Sequence, residues 1–155
     1  MSQPATEPAS ADRHAVVRCA VCATPNRIDL RKLSQGPKCA KCHRPILLDR
    51  PLKATEADFD QTLQGTTVPV LVDFYADWCG PCHMMAPTLD DFARRQAGAV
   101  LVLKLDTEVN PAVASRFAIR GIPTLIVFQD GKERGRHVGV ADLKTLETLA
   151  GVSAG

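Results

Sequence analysis

Aromatic residues are scarce in this chain: one Trp, one Tyr and five Phe make up 5% of its 155 residues. None of them falls between residues 13 and 50, which removes from that stretch the platforms on which single-stranded nucleic acid stacks. No apolar run approaches the roughly 20 residues that span a bilayer, so no membrane role is expected. The first twelve residues are rich in Ala, Ser, Thr and Pro, carry Glu7 and Asp12, and lack the apolar core of a secretory signal. The same two acids, with Arg13 as the first basic residue, disfavour an organelle transit peptide. Residues 1–14 therefore read as a disordered tail, and the expected compartment is the reducing cytoplasm.

What the chain has in abundance is paired cysteine: all six cysteines fall in three C-x-x-C units. Cys19-Ala20-Val21-Cys22 and Cys39-Ala40-Lys41-Cys42 are separated by sixteen residues, within the spacing of a structural zinc site. Each pair makes a small turn that presents two thiolates on one side, and Gly36-Pro37 marks the bend that brings the two turns together. Two disulfides among the same four residues would suit an oxidising compartment, which the tail does not indicate. His14 and His43 flank the pairs, but four thiolates already fill a closed tetrahedron. The expected ligands are Cys19, Cys22, Cys39 and Cys42, the expected ion is Zn²⁺, and residues 15–50 form a zinc ribbon. A segment this short and without aromatics cannot order itself by burial, so loss of the metal is expected to unfold the ribbon alone.

Charge is unevenly spread. Residues 13–50 hold nine Lys/Arg against Asp29 and Asp49, a balance of +7, whereas residues 51–155 hold ten against thirteen, or −3, and the tail contributes −2. A basic module raises the question of nucleic acid. Zn²⁺ held by four thiolates carries −2 of its own, which nearby cations offset. Without aromatic partners, nucleic acid is not the expected ligand, and contact with protein is the more open use of this module.

The third pair lies elsewhere in character. Val68–Val72 is an apolar run that extends through Phe74 and Tyr75, too short for a helix and suited to a buried central strand. It is followed by Trp78-Cys79-Gly80-Pro81-Cys82, in which Gly-Pro permits a sharp turn and sets the first helical residues. Cys79 is thereby placed at a helix N-terminus, where the dipole and free N–H groups stabilise a thiolate. Cys82 sits one turn on, in reach to resolve a mixed disulfide. Half of a metal site is the competing use of such a pair, but the Trp, Gly-Pro and upstream Asp have no role in ligation. Asp73, inside the apolar strand, is costly to bury as an anion, so its pKa should rise and fit it to carry a proton near Cys82.

Together, Val72-Asp73-Phe74 and Trp78-Cys79-Gly80-Pro81-Cys82 resemble the thioredoxin active site, and the likeness extends from about Lys53 to Gly151. C-x-x-C beside a βαβ pattern is a recognised mark of thioredoxin-like proteins. The resemblance implies further roles. Lys104 matches the position that neighbours the buried acid. Gly121-Ile122-Pro123-Thr124 matches the loop whose proline is cis and faces the cysteines, and Gly139 matches the glycine that completes the same surface. Trp78, Gly80, Pro81, Ile122, Pro123 and Gly139 are the substrate-binding residues it implies. It also implies an NADPH-dependent flavoenzyme, thioredoxin reductase, as the partner that restores the dithiol. Two residues depart from the pattern: Tyr75 stands where many members have Trp, and His83 where Lys or Arg usually follows the second cysteine.

The remaining chain completes an α/β thioredoxin fold, a mixed central sheet flanked by helices over residues 51–155. A short helix is expected over Glu56–Leu63, strands at Val100–Leu105 and Leu125–Phe128, and a helix opening at Pro111. A hairpin turn at Asp130-Gly131 leads into Lys132–Val138, and a closing helix is striped by Leu143, Leu146 and Leu149. Leu47–Thr55 reads as a linker that merges into the first strand of the next domain, with the boundary near Arg50, and Pro87 should kink the active-site helix. The whole resembles the zinc-containing thioredoxins of bacteria, general reductases of protein disulfides, acting as a monomer. Two other classes stand against that reading: an oxidising or isomerising enzyme, and a non-catalytic ribbon adaptor or redox-controlled holdase.

Overall fold

The computed structural model describes residues 13–153; the tail expected over residues 1–14 otherwise lies outside the described residues. His14 already belongs to the first strand. Strands β1 (His14–Arg18) and β2 (Pro25–Asp29) pair antiparallel, and a 3₁₀ helix covers Leu30–Gln35. Each cysteine turn closes on its own backbone: Ala23 N–H bonds Cys19 O at 2.9 Å, and His43 N–H bonds Cys39 O at 2.9 Å. Ala23 and His43 sit at positive φ, 66° and 65°. The two turns are thus conformational copies of each other.

Beyond Arg50 come β3 (Leu52–Lys53), α1 (Phe59–Gly65), β4 (Val70–Tyr75), α2 (Gly80–Arg95), β5 (Leu101–Asp106) and α3 (Pro111–Arg116), then β6 (Thr124–Gln129), β7 (Lys132–Val138) and α4 (Leu143–Ala150). The sheet order is β3-β5-β4-β6-β7. The first three strands run parallel, because the α2 crossover returns the chain to the same end, and β6 and β7 are antiparallel. All six residues of β4 are buried, as a strand with helices on both faces requires. Val70, Val72 and Phe74 face Phe59, Leu63 and Val113, while Leu71 faces Met85, Leu89 and Phe92 of α2 and Leu146 of α4. Phe59, Phe117 and Phe128 meet edge to face, with centroids 5.2–5.7 Å apart. Helix α2 continues through Pro87 to Arg95.

The segment expected to act as a linker merges into β3, and the module before it shares a core with the sheet. Ala15, Val17, Ile28, Ile46 and Leu48 of the N-terminal module belong to the same buried cluster as Phe59, Val70 and Phe128. The seam is also hydrogen-bonded. Thr67 N–H donates to His14 O at 2.9 Å, His14 N–H to Thr67 Oγ1 at 3.0 Å, and Val16 N–H to Thr66 Oγ1 at 3.1 Å. Arg18 is ion-paired with the buried Asp58, and Arg13 donates to Gly98 O at 3.2 Å. The module therefore sits at the end of the sheet where β4 begins, and the redox cysteines lie past the end where β4 stops.

Candidate redox and metal sites

Cys79 is the N-cap of α2: its backbone is extended (φ −85°, ψ 112°) and its sulfur accepts the Cys82 N–H at 3.2 Å. Pro81 follows in the first helical turn, where no amide hydrogen bond is lost. Cys79 and Cys82 are joined as a disulfide with Cα atoms 5.3 Å apart. Both residues are buried, Cys79 at 2% and Cys82 at 7% exposure, so exposure does not choose the nucleophile in this oxidised form. The two differ at the helix end, where the Cys79 sulfur receives the Cys82 amide at the positive pole.

Around the pair, Tyr75 and Ala76 are buried against both cysteines and Ile122 packs on them half-buried. Cys79 Sγ lies 3.8 Å from Ile122 O. The Ile122–Pro123 peptide is cis, as the resemblance implies. Gly139, at φ 101°, donates its N–H to Pro123 O at 2.8 Å; a side chain there would be strained. Trp78 is 70% exposed, and its indole N–H reaches Glu108 at 3.3 Å. Gly80 and Pro81 are exposed on the rim. His83 lies on the same helical turn, its ring nitrogen 2.5 Å from Asp77 O.

Asp73 is 3% exposed, and its Oδ1 has no hydrogen-bond partner among the described residues. Burial raises its pKa to about 6, against a smaller downward pull from Lys104. Lys104 is its register partner on β5, half-buried, with Nζ 4.6 Å over the Tyr75 ring. Tyr75 thus does more than pack where other chains have Trp: its ring face receives the cation that neighbours the acid.

The four remaining cysteines converge, with sulfurs all within 4.8 Å of one another. Cys19–Cys42 and Cys22–Cys39 sulfurs are 3.6 Å apart; two thiolates about 2.3 Å from a tetrahedral ion lie about 3.8 Å apart. Backbone N–H groups of Val21 and Lys41 point at Cys19 and Cys39 sulfurs from 3.4 Å. The Cys42 backbone N–H, followed by the Asn26 amide, lowers Cys39 to about 6. At Cys42 the Arg44 backbone works downward, but burial and the other three thiols outweigh it and push the group to about 11. Four sulfurs converging at this spacing are a donor set that fits a soft divalent cation. His14 and His43 are outside the cluster. Sequence reasoning missed Asn26. It is buried, bonds Cys39 Sγ at 3.4 Å and accepts the Ala40 N–H at 2.9 Å, so it ties one turn to the other. Nothing local distinguishes it from any other Asn.

A chain that carries its dithiol at the first turn of the crossover helix in a mixed sheet is built as a protein-disulfide oxidoreductase. Residues 50–151 match the sequence model of the family described as Thioredoxin, and residues 18–44 match the model described as Thioredoxin 2, N-terminal. The chain belongs to the thioredoxin family. It is 39% identical over 132 residues to Thioredoxin C-3 of Corynebacterium nephridii, covering 85% of this chain and 89% of that one. Against Thioredoxin 1 of Synechococcus elongatus the identity is 47% over 92 residues, 59% of this chain and 86% of the relative. Among solved structures, a mutant thioredoxin from Halobacterium salinarum NRC-1 superposes with a TM-score of 0.60 at 36% identity, covering 68% of this chain and 95% of that one. No helix among the described residues is long and apolar enough to cross a membrane.

Proposed function

We propose that the protein works in the reducing direction, as a cytoplasmic monomer that reduces protein disulfides through Cys79-Gly80-Pro81-Cys82. The observation that carries this is the capping of α2 by Cys79, a short turn after the buried strand that holds the raised-pKa Asp73. Cys79 thiolate attacks one sulfur of the substrate disulfide, whose S–S bond breaks as a mixed disulfide forms and one substrate thiolate leaves. Cys82 then gives its proton to Asp73 and attacks Cys79 Sγ, which forms the Cys79–Cys82 disulfide and releases the second substrate thiolate. Lys104 tempers the acid. Trp78, Gly80, Pro81, Ile122, Pro123 and Gly139 hold the substrate backbone against the pair. An NADPH-dependent flavoenzyme of the thioredoxin reductase type returns two electrons to the dithiol.

Residues 15–50 form the zinc ribbon and 51–155 the thioredoxin domain, with Cys19, Cys22, Cys39 and Cys42 holding Zn²⁺ in a structural site. Open thiols at such a site persist where thiols stay reduced, which supports the cytoplasm. The test is reduction of insulin disulfides coupled to NADPH oxidation by a bacterial thioredoxin reductase. Turnover lost in Cys79→Ser is expected. A potential near the roughly −120 mV of a strong oxidant would overturn the reducing assignment.

A further inference from the structure

The nine cations of residues 13–50 are not used alike. Arg18 pairs with Asp58, Arg31 with Asp29 and Arg50 with Asp49, so both acids of the module are engaged from within it. Arg27, Lys32 and Lys38 have no carboxylate partner among the described residues; Arg27 meets the His14 ring at 3.1 Å. These three line one cleft of about 270 Å³, with Ile28, Gln35 and Pro37. The acid in its wall, Asp29, has both oxygens bound by the Arg31 guanidinium and one also by the Arg31 N–H. Among the described residues the cleft therefore gathers three cations that form no ion pair with a carboxylate, with Lys32 near enough to Asp29 to help lower its pKa.

Its position is informative. The 3₁₀ helix that supplies Lys32 and Gln35 abuts the turn after α2, where Gly98 lies against Leu30 and Leu33. Cys79 caps the opposite end of the same helix, sixteen residues long, or roughly 24 Å at about 1.5 Å per residue. A small disulfide bound at Cys79 cannot reach the cleft, whereas a protein substrate can.

We propose that this cleft is a second attachment site that selects protein substrates carrying an acidic segment remote from the disulfide to be reduced, beyond the far end of α2. The inference rests on the reductase reading above and names its substrate class. An acidic peptide is favoured over nucleic acid because residues 13–50 hold no aromatic side chain for base stacking. Attachment there raises the local concentration of the disulfide at Cys79 and so acts on KM.

The probe is a disulfide-bonded peptide joined through a twelve-residue Gly-Ser spacer to six glutamates, compared with the same peptide ending in six glutamines. At low salt the glutamate tail is expected to lower KM about tenfold with kcat unchanged, and about 0.5 M salt to abolish the difference. Arg27→Gln/Lys32→Gln/Lys38→Gln should lose the preference yet reduce the glutamine-tailed peptide normally. Lys132→Gln/Arg134→Gln/Lys144→Gln, which removes equal charge elsewhere, should keep it. Equal KM for both tails, or loss of preference in both triple variants, overturns the proposal. So does a single-stranded oligonucleotide that displaces the glutamate tail at lower concentration than a free hexaglutamate peptide. Fluorescence anisotropy of a labelled glutamate tail without a disulfide reads the cleft even if no disulfide is reduced, which separates failure of this site from failure of the reductase reading.

Discussion

Asp73 and Lys104 face each other as register partners on adjacent parallel strands, yet the Lys104 ammonium lies over the Tyr75 ring and Asp73 Oδ1 keeps no hydrogen bond. The acid is thus held in apolar surroundings with a counter-charge close enough to moderate its pKa and too far engaged to fix it.

The first prediction follows from that burial. The ordinary value of 3.8 becomes about 6 in the folded chain. Well below the ordinary value of 3.8 the acid is protonated folded and unfolded, and it costs nothing. As pH rises toward 6 the unfolded chain ionises first, so stability falls, and above the folded value the penalty, about 3 kcal/mol, is complete. Asp73→Asn should therefore be more stable than the parent at pH 8 by up to about 3 kcal/mol, with the advantage vanishing near pH 3.5. Urea melts at both pH values check this. An advantage that does not change with pH would sink the assignment.

The second prediction concerns the order of the sulfurs. In the reduced protein the amide that points at Cys79 Sγ favours its thiolate, so its pKa should fall well below about 8.5. Iodoacetamide at neutral pH should label Cys79 ahead of Cys82, and Cys82→Ser should accumulate a mixed disulfide with substrate through Cys79. Labelling that begins at Cys82 would contradict the assignment.

The third prediction tests the seam between the two modules. A Cβ built on Gly65 would meet Val16 Cγ2 at 2.4 Å and Val16 Cβ at 3.0 Å. Val16 is β-branched and cannot turn aside cheaply. Gly65→Ala, which in an isolated helix would stabilise by up to about 1 kcal/mol, should instead destabilise by about 1–3 kcal/mol through overpacking. Guanidinium unfolding decides the sign; a gain in stability would mean that the β1 contact yields without cost.

The redox site was legible in the sequence because its parts are contiguous: an apolar strand, a turn and a helix start lie within Val68–Pro87. The four-cysteine cluster was legible through spacing, and every element of the sheet came within a few residues. What escaped is non-local. In the strand pairing of His14–Arg18 with Pro25–Asp29 the alternation is broken, with apolar Val16 at a half-buried position and polar Asn26 at a buried one, too little pattern to register. The Val16–Gly65, Arg18–Asp58 and Thr67–His14 contacts span 40 residues or more, so periodicity could not reveal that the two modules share a common core. Asn26 gave no signal because its role depends on where Cys39 arrives.

That common core changes what metal removal should do, and it is the last prediction. Read from sequence, the ribbon stands apart and unfolds alone. In the structure Ala15, Val17, Ile28 and Leu48 are buried with Phe59 and Phe128, so losing the ribbon's order uncovers apolar surface on α1 and leaves the nearly buried Asp58 without Arg18. Each uncovered aliphatic side chain costs about 1.5–3 kcal/mol, and an orphaned acid adds to that. Chelation of an ion held by the four cysteines, or Cys39→Ser, is therefore expected to lower the denaturant midpoint of the whole chain and not of residues 13–50 only. Amide exchange should quicken at Phe59–Gly65 as well as in the ribbon. Disulfide reduction should survive in the remaining folded protein, because Cys79 lies at the far end of α2. A thioredoxin domain whose unfolding midpoint is unmoved by metal removal would show that the shared core contributes packing without stability.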